Sequence, residues 1–432
     1  MKLLNVNIPT LQAERNFDLT IKNGRLDAIT VHDEYMKADR PFSYSFSDHE
    51  RGEELVWDAE GRILLQGMVD AHMHLDKSHS LLVAKNQSGT LFEAIHSYTK
   101  ASETFTDENV LGRMRKTALT ALAHGTSTIR THIDFNTRVS EETTFRGVRM
   151  ALQLKQELAP YMNIQVYPML PYYPYEDSDR KKIERMLALG IDGVGGAPHI
   201  SERPLECIDE IFAYAKQFDL PIDLHTDESD DPTVDTVLYI ADKTMEFGYE
   251  GRVVVDHLCS LAAMDHDKAA AVIQKMKEAE LGAITLPAAN LYLQGRQDRG
   301  IVRRGVTRVS ELIDGGVKVA TASDNVCDPF HPFGRGDLLQ IAQLTGYTAH
   351  MGGRQDMITL LKMITEVPAK LIGSQLCGIK VGELADFVLV DSKSVEELFA
   401  DLPQTRAVYR SGKWLAMTNT TSQFELTPTI KL

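Results

Sequence analysis

Cysteine is scarce: the 432-residue chain has four, Cys207, Cys259, Cys327 and Cys377, and no two of them form a Cys-x-x-Cys pair. That spacing excludes a disulfide framework and a structural zinc cluster, and it suits a reducing cytoplasm. Long apolar runs are missing as well. No stretch approaches the roughly 18 uninterrupted apolar residues of a membrane span, and the polar segment after Met1 lacks an apolar signal core. A soluble, unexported, cytoplasmic protein with no membrane partner is expected. Positive charge is in deficit, with 46 Lys and Arg against 61 Asp and Glu and a formal net charge of -15. Nucleic-acid binding needs clustered positive charge, so no nucleic-acid partner is expected. Long-period repeats and low-complexity segments are absent too.

What is present is an ordinary globular composition, 43% hydrophobic and 25% charged. The N-terminal region reads as β-structure: Asn23-Gly24 sits between alternating apolar positions from Leu19 to Ile29, a strong hairpin signal. Segments 385–390 and 407–415 repeat that style at the far end. Short strands so far apart in sequence bury little alone, so both ends are expected to meet in one small β-sandwich domain, residues 1–65 and 379–432.

Between them, residues 66–378 alternate short apolar strands with segments of helical period. Strands are expected at 68–74, 126–132, 164–168, 193–196, 222–225, 253–257, 283–286 and 317–324, about the number that closes a (β/α)8 TIM-type barrel. Val110, Met114, Ala118 and Leu122 mark one connecting helix, with Gly125 as its stop. The fold class expected is therefore α/β: a barrel with a β-sandwich domain built from both termini. A doubly wound open sheet is the alternative, without the Gly-x-Gly-x-x-Gly that would accompany it.

Chemistry-bearing residues gather at the expected strand ends, the face where a barrel assembles its site. In Asp70-Ala71-His72-Met73-His74-Leu75-Asp76, alternation along a strand sends His72 and His74 to one side, within reach of one ion. His225 ends the fifth strand, His257 the sixth and Asp324 the eighth, and Glu228 follows His225. Three imidazoles plus a carboxylate suit zinc or ferrous iron with a position left for water. Such a metal lowers the pKa of its water to about 7. Attack on an amidine-like carbon places charge on a ring nitrogen, and Glu228 is the carboxylate available to carry the proton there. His257 is available to orient the attacking oxygen.

These residues, with the flanking β-structure, resemble the amidohydrolase superfamily. The resemblance sharpens toward its cytosine deaminase branch through Asn86-Gln87-Ser88-Gly89-Thr90-Leu91-Phe92-Glu93, Arg130-Thr131-His132-Ile133-Asp134, His225-Thr226-Asp227-Glu228, Leu293-Gln294-Gly295-Arg296 and Ser323-Asp324-Asn325-Val326-Cys327-Asp328-Pro329-Phe330. It implies one divalent metal, zinc or iron(II), bound by His72, His74, His225 and Asp324. It also implies Glu228 as proton shuttle, with His257 and Asp324 helping to activate water. The implied activity is hydrolytic deamination of a small cyclic amidine or aminated heterocycle, a cytosine-like pyrimidine first, with release of ammonia. Leu91, Tyr172, Asn325 and Phe330 are the expected substrate contacts, although Tyr172 and Tyr173 fit packing on the barrel rim equally well.

The chain departs from that branch where substrate would be read. Tyr167 to Tyr173 offer no Gln after the third strand, and Phe330 and Asn325 stand where the branch has Trp and a second Asp. Segments 323–325 and 332–337 are also similar to hydrolases that remove alkylamino groups from triazine-like rings, the first alternative. Ring opening of a cyclic amide at a binuclear site is a second, disfavoured because residues 193–199 contain no lysine to bridge two metals. A barrel that binds without turnover is a third, although no ligand or shuttle residue is missing. The unrelated zinc deaminases of nucleobases are excluded for want of Pro-Cys-x-x-Cys. The fold is compatible with a homo-oligomer, but no interface is legible.

Overall fold

The computed structural model describes residues 1–432 apart from 13, 50–55, 301, 377, 424 and 426–432, so Cys377 lies outside the described residues. Two compact units emerge: residues 66–378, and residues 1–65 together with 379–432.

The larger unit is an eight-stranded parallel sheet whose spatial order follows the chain without a break. Its strands are β1 (Met68–Met73), β2 (Thr126–Asp134), β3 (Asn163–Met169), β4 (Val194–Gly196), β5 (Ile222–Thr226), β6 (Val253–His257), β7 (Gly282–Thr285) and β8 (Lys318–Thr321). A parallel bridge between Met73 and Asp324 brings the last strand back to the first. Asp324 N donates to His72 O at 2.9 Å, and His74 N donates to Asp324 O at 3.4 Å. The seam of the barrel thus runs through three of the residues expected to bind metal.

Local sequence sets the connecting helices. The helix Asp107–Ala123 starts where Thr106 accepts from Asn109 N, and it buries Val110, Met114, Ala118 and Leu122 on one stripe. Burying each Val, Leu or Met of such a stripe contributes about 1.5–3 kcal/mol. Gly125, at φ +104°, makes the turn into β2 that a side chain would resist. Among the described residues no helix is long and apolar enough to cross a membrane.

The smaller unit is one hydrogen-bonded sheet to which both termini contribute. Asn23 and Gly24 both have positive φ, as a two-residue hairpin turn requires, and they join strands Asn16–Lys22 and Arg25–Val31. The C-terminal strands Phe387–Val390, Arg406–Arg410 and Lys413–Thr418 extend the same sheet. Leu3, Val6, Leu19, Trp57, Phe387 and Tyr409 share its core. Phe387 stacks on Tyr409 with ring centroids 5.0 Å apart.

Candidate active site

β1 delivers its two imidazoles to one side, as period-2 alternation demands. His72 Nε2 lies 3.4 Å from His74 Nε2, which lies 3.0 Å from His225 Nε2 at the end of β5. Asp324 Oδ1 is 3.5 Å from His72 Nε2 and 3.4 Å from His74 Nε2. All four side chains are buried. With metal–nitrogen bonds of about 2.1 Å, ligand atoms subtending 90° to 109° stand about 3.0–3.4 Å apart, so these spacings suit the edges of one coordination polyhedron.

The outer hydrogen bonds point the same way. His72 Nδ1 faces Asp256 Oδ2 at 2.9 Å and His74 Nδ1 faces the carbonyl of His132 at 3.1 Å. At His72 the acceptor draws the ring proton to Nδ1 and turns the Nε2 lone pair toward the common centre, whereas His74 Nδ1 also lies 3.0 Å from Lys77 Nζ. Burial holds His74 and His225 well below the usual imidazole range, which keeps both neutral; for His74 the Lys77 charge adds to the effect. At His72 burial also disfavours charge, but Asp256 and Asp324 outweigh it and push the group up to about 10. The carboxylates therefore call for a positive charge at this point. A divalent cation would supply it in place of the proton, and Asp324 Oδ1, buried without a hydrogen-bond partner, is a further donor aimed at the centre. This donor set fits a metal ion.

Two further groups, His257 and Glu228, flank the donors. His257 and Asp324 both sit in left-handed backbone, at φ +63° and +59°, which bends each side chain inward from its strand end. Asn290 Nδ2 donates to His257 Nδ1 at 3.0 Å, leaving Nε2–H as a free donor. Burial lowers His257 to about 3, so the imidazole is neutral. Glu228 Oε1 is 3.7 Å from His257 Nδ1. Burial first, and the Asp324 charge second, raise Glu228 to about 8, so its carboxyl holds a proton near neutral pH. A buried acid tuned to that range suits proton transfer to and from a reacting group.

Glu228, His257, Asp324, Leu91, Tyr172, Asn325 and Phe330 line one cavity of about 50 Å³, together with His74 and His225. Leu91 arrives there because its segment is pinned at both ends. Asn86 Nδ2 donates to Pro329 O at 2.9 Å, and Thr90 caps the helix Leu91–Ser102. The Asn325 amide nitrogen donates to Asp328 at 2.8 Å, which fixes the orientation of the amide and points to its carbonyl oxygen as an acceptor for a substrate. Tyr172 borders the cavity, whereas Tyr173 does not.

Other polar groups surround the site. His132 is wholly buried and stacks on His72, with centroids 4.1 Å apart, so it supports the site from beneath. Asp134, on the same face of β2, reaches the cavity. His199 borders it too, with Nδ1 3.1 Å from the carbonyl of His225. Asp76 accepts from Asp134 N at 3.0 Å and fixes the rim. His331 is a buried brace on the β8 loop, 3.0 Å from Asn325 O.

Two groups escaped the sequence reading. Lys77 is buried in the cavity wall, with Nζ 2.7 Å from Asp134 Oδ1 and over the Phe330 ring. Its signal was a charge directly following a buried motif. Asp256 adjoins His257, and consecutive strand residues ordinarily face opposite ways. The left-handed turn at His257 breaks that alternation and lets both serve the site.

Comparison with known proteins follows the same line. The Amidohydrolase family model matches residues 63–415. A pterin deaminase of Rhizobium rhizogenes is 32% identical over 351 residues, 80% of this chain and 78% of that one. The N-isopropylammelide isopropyl amidohydrolase of Pseudomonas sp. is 28% identical over 409 residues, 92% of this chain and 97% of that one. The crystal structure of 5-methylcytosine deaminase from Klebsiella pneumoniae with 5-fluorocytosine superposes with a TM-score of 0.88 at 26% identity, covering 98% of this chain and 99% of that one.

Proposed function

The chain belongs to the amidohydrolase family, whose hydrolases cleave carbon–nitrogen bonds other than peptide bonds, and on that footing we propose that it deaminates an aminated nitrogen heterocycle, releasing ammonia. One observation carries the reading: three imidazole nitrogens and a carboxylate oxygen converge within 3.0–3.5 Å neighbour distances beside the buried carboxyl of Glu228.

In this reading His72, His74, His225 and Asp324 hold one zinc or ferrous ion. Bound there, the ion supplies Lewis acidity and a water that ionises near neutral pH. Glu228 gives its proton to the ring nitrogen as water adds to the amidine carbon, and takes one from that water. It then passes this proton to the exocyclic nitrogen and takes the remaining hydroxyl proton as the carbon becomes a carbonyl and neutral ammonia leaves, which restores the protonated carboxyl. His257 Nε2–H orients the attacking oxygen. Asn325 accepts from the ring edge, Phe330 and Leu91 cover the ring faces, and Tyr172 closes the side.

Pyrimidines and pteridines share the amidine unit, and the pterin and 5-methylcytosine deaminase relatives support both. A second reading, removal of an alkylamino group from a triazine-like ring, is favoured by the isopropylammelide relative, which aligns over 92% of this chain. Isolated cysteines among the described residues support a reducing, cytoplasmic setting. The metal-loaded protein is to be screened for amine release against cytosines, pterins and N-alkylated aminotriazines. Ammonia from a pyrimidine or pteridine is the expected result, an alkylamine selects the second reading, and ring opening without any amine rejects both.

A further inference from the structure

Two segments distant in sequence, Asn86 to Glu93 after β1 and Leu293 to Arg296 after β7, meet at the mouth of the ring cavity. Leu91 and Leu293 line that cavity and also the wider opening beside it. The Arg296 guanidinium joins the two segments. Its Nη1 donates to Ser88 O at 3.2 Å and its Nη2 to Tyr292 O at 2.6 Å. Its Cζ lies 4.6 Å from the centroid of the Tyr292 ring, a cation–π distance. The same group rests directly on Gly89, where a Cβ would overlap the guanidinium carbon and both terminal nitrogens. Gly89 also has φ +71°, so backbone and packing both require glycine there.

The two sides of this contact are unequally anchored. After β7, Gln294 N donates to Asn290 O at 2.9 Å, and Gly295 N donates to Asp230 Oδ2 at 2.7 Å on the loop following β5. Arg296 is thus presented from a fixed base. After β1, Asn86 ties the start of the segment to Pro329, but Gln87 N and Ser88 N donate to Glu93, at 2.9 and 2.7 Å, within the segment itself. Gln87 and Ser88 are exposed, and local bonds of this kind move with the loop that makes them. What the guanidinium holds still is therefore the β1 side, which carries Leu91 to the cavity.

We infer that Arg296 is a positioning residue: seated on Gly89 and bonded to Ser88, it holds segment 86–91 so that Leu91 covers the face of the bound ring. This rests on the deaminase reading for what the cavity binds. The metal donors and Glu228 stand on β1, β5 and the β8 loop, outside the contact, so losing it weakens ring binding and spares the chemical step.

The test uses metal-loaded full-length protein with pterin and 5-methylcytosine as probes. Arg296→Ala is expected to retain metal and to speed amide hydrogen exchange at 87–91 at least tenfold. KM is expected to rise at least tenfold while kcat falls less than threefold. Arg296→Lys, which can still donate to Ser88 O, should recover part of the KM. Gly89→Ala should raise KM as well, and the double variant should lie within about twofold of the worse single one, because both changes break one contact. Unchanged exchange in Arg296→Ala, an unchanged KM, or single-variant losses that multiply in the double variant overturns the assignment. If wild type binds either probe without releasing ammonia, the deaminase reading fails for that ring and the Kd shift replaces KM in deciding the role of Arg296. If it binds neither, exchange alone decides it.

Discussion

Asp256 Oδ2 stands 2.9 Å from His72 Nδ1, and both side chains are wholly buried. The carboxylate fixes which nitrogen of His72 keeps its proton, and the ring stacked beneath, His132, limits how the imidazole can turn. Replacing Asp256 by Asn keeps the shape and removes the charge. Metal affinity is expected to fall about 10–100-fold, measured by competition with a chelator. Equal affinity in the two proteins would remove Asp256 from the site.

Wild-type protein is expected to carry about one divalent ion per chain, the number a single four-donor set holds. His72→Ala and His225→Ala each delete one of those donors, and elemental analysis should find both variants largely metal-free. Chelation of the wild type should abolish turnover, and zinc or ferrous iron should restore it. Full metal content in either variant would reject the ligand set.

Glu228→Gln preserves size and hydrogen bonding but cannot exchange a proton. The expected result is retained metal with turnover lower by about 10²–10⁴-fold. A near-normal rate would take Glu228 out of the mechanism.

Phe387 is fully buried against Tyr409 in the sheet formed by the two termini. Phe387→Ala is expected to cost about 3–5 kcal/mol in denaturant unfolding of that unit. Tyr35, 92% exposed in the same unit, is the control: Tyr35→Ala should change stability by less than about 0.5 kcal/mol. Equal effects would mean that the described core does not hold the sheet together.

Much of this arrangement was legible in the chain. Period-2 alternation put His72 and His74 on one face, and repeated βα units ordered eight strands so that His225, His257 and Asp324 fell at the same end. Lys77 and Asp256 were not legible. Burial of a lysine is decided by a partner 57 residues away, Asp134, and by the ring of Phe330. The inward turn of Asp256 together with His257 depends on a left-handed backbone angle that alternation does not foresee.

By itself, then, the sequence determined which residue types occur at which strand ends, because hydrophobic period and turn chemistry are local properties. Only the tertiary structure decided their chemistry. Closing the sheet through Asp324 and the carbonyl of His72 brought four donors from three distant strands within 3.5 Å neighbour distances, and the burial that closure imposed raises the pKa of Glu228 and lowers that of His257. Coulomb energies and desolvation depend on distance and on exclusion of water, and neither is fixed until the strands meet.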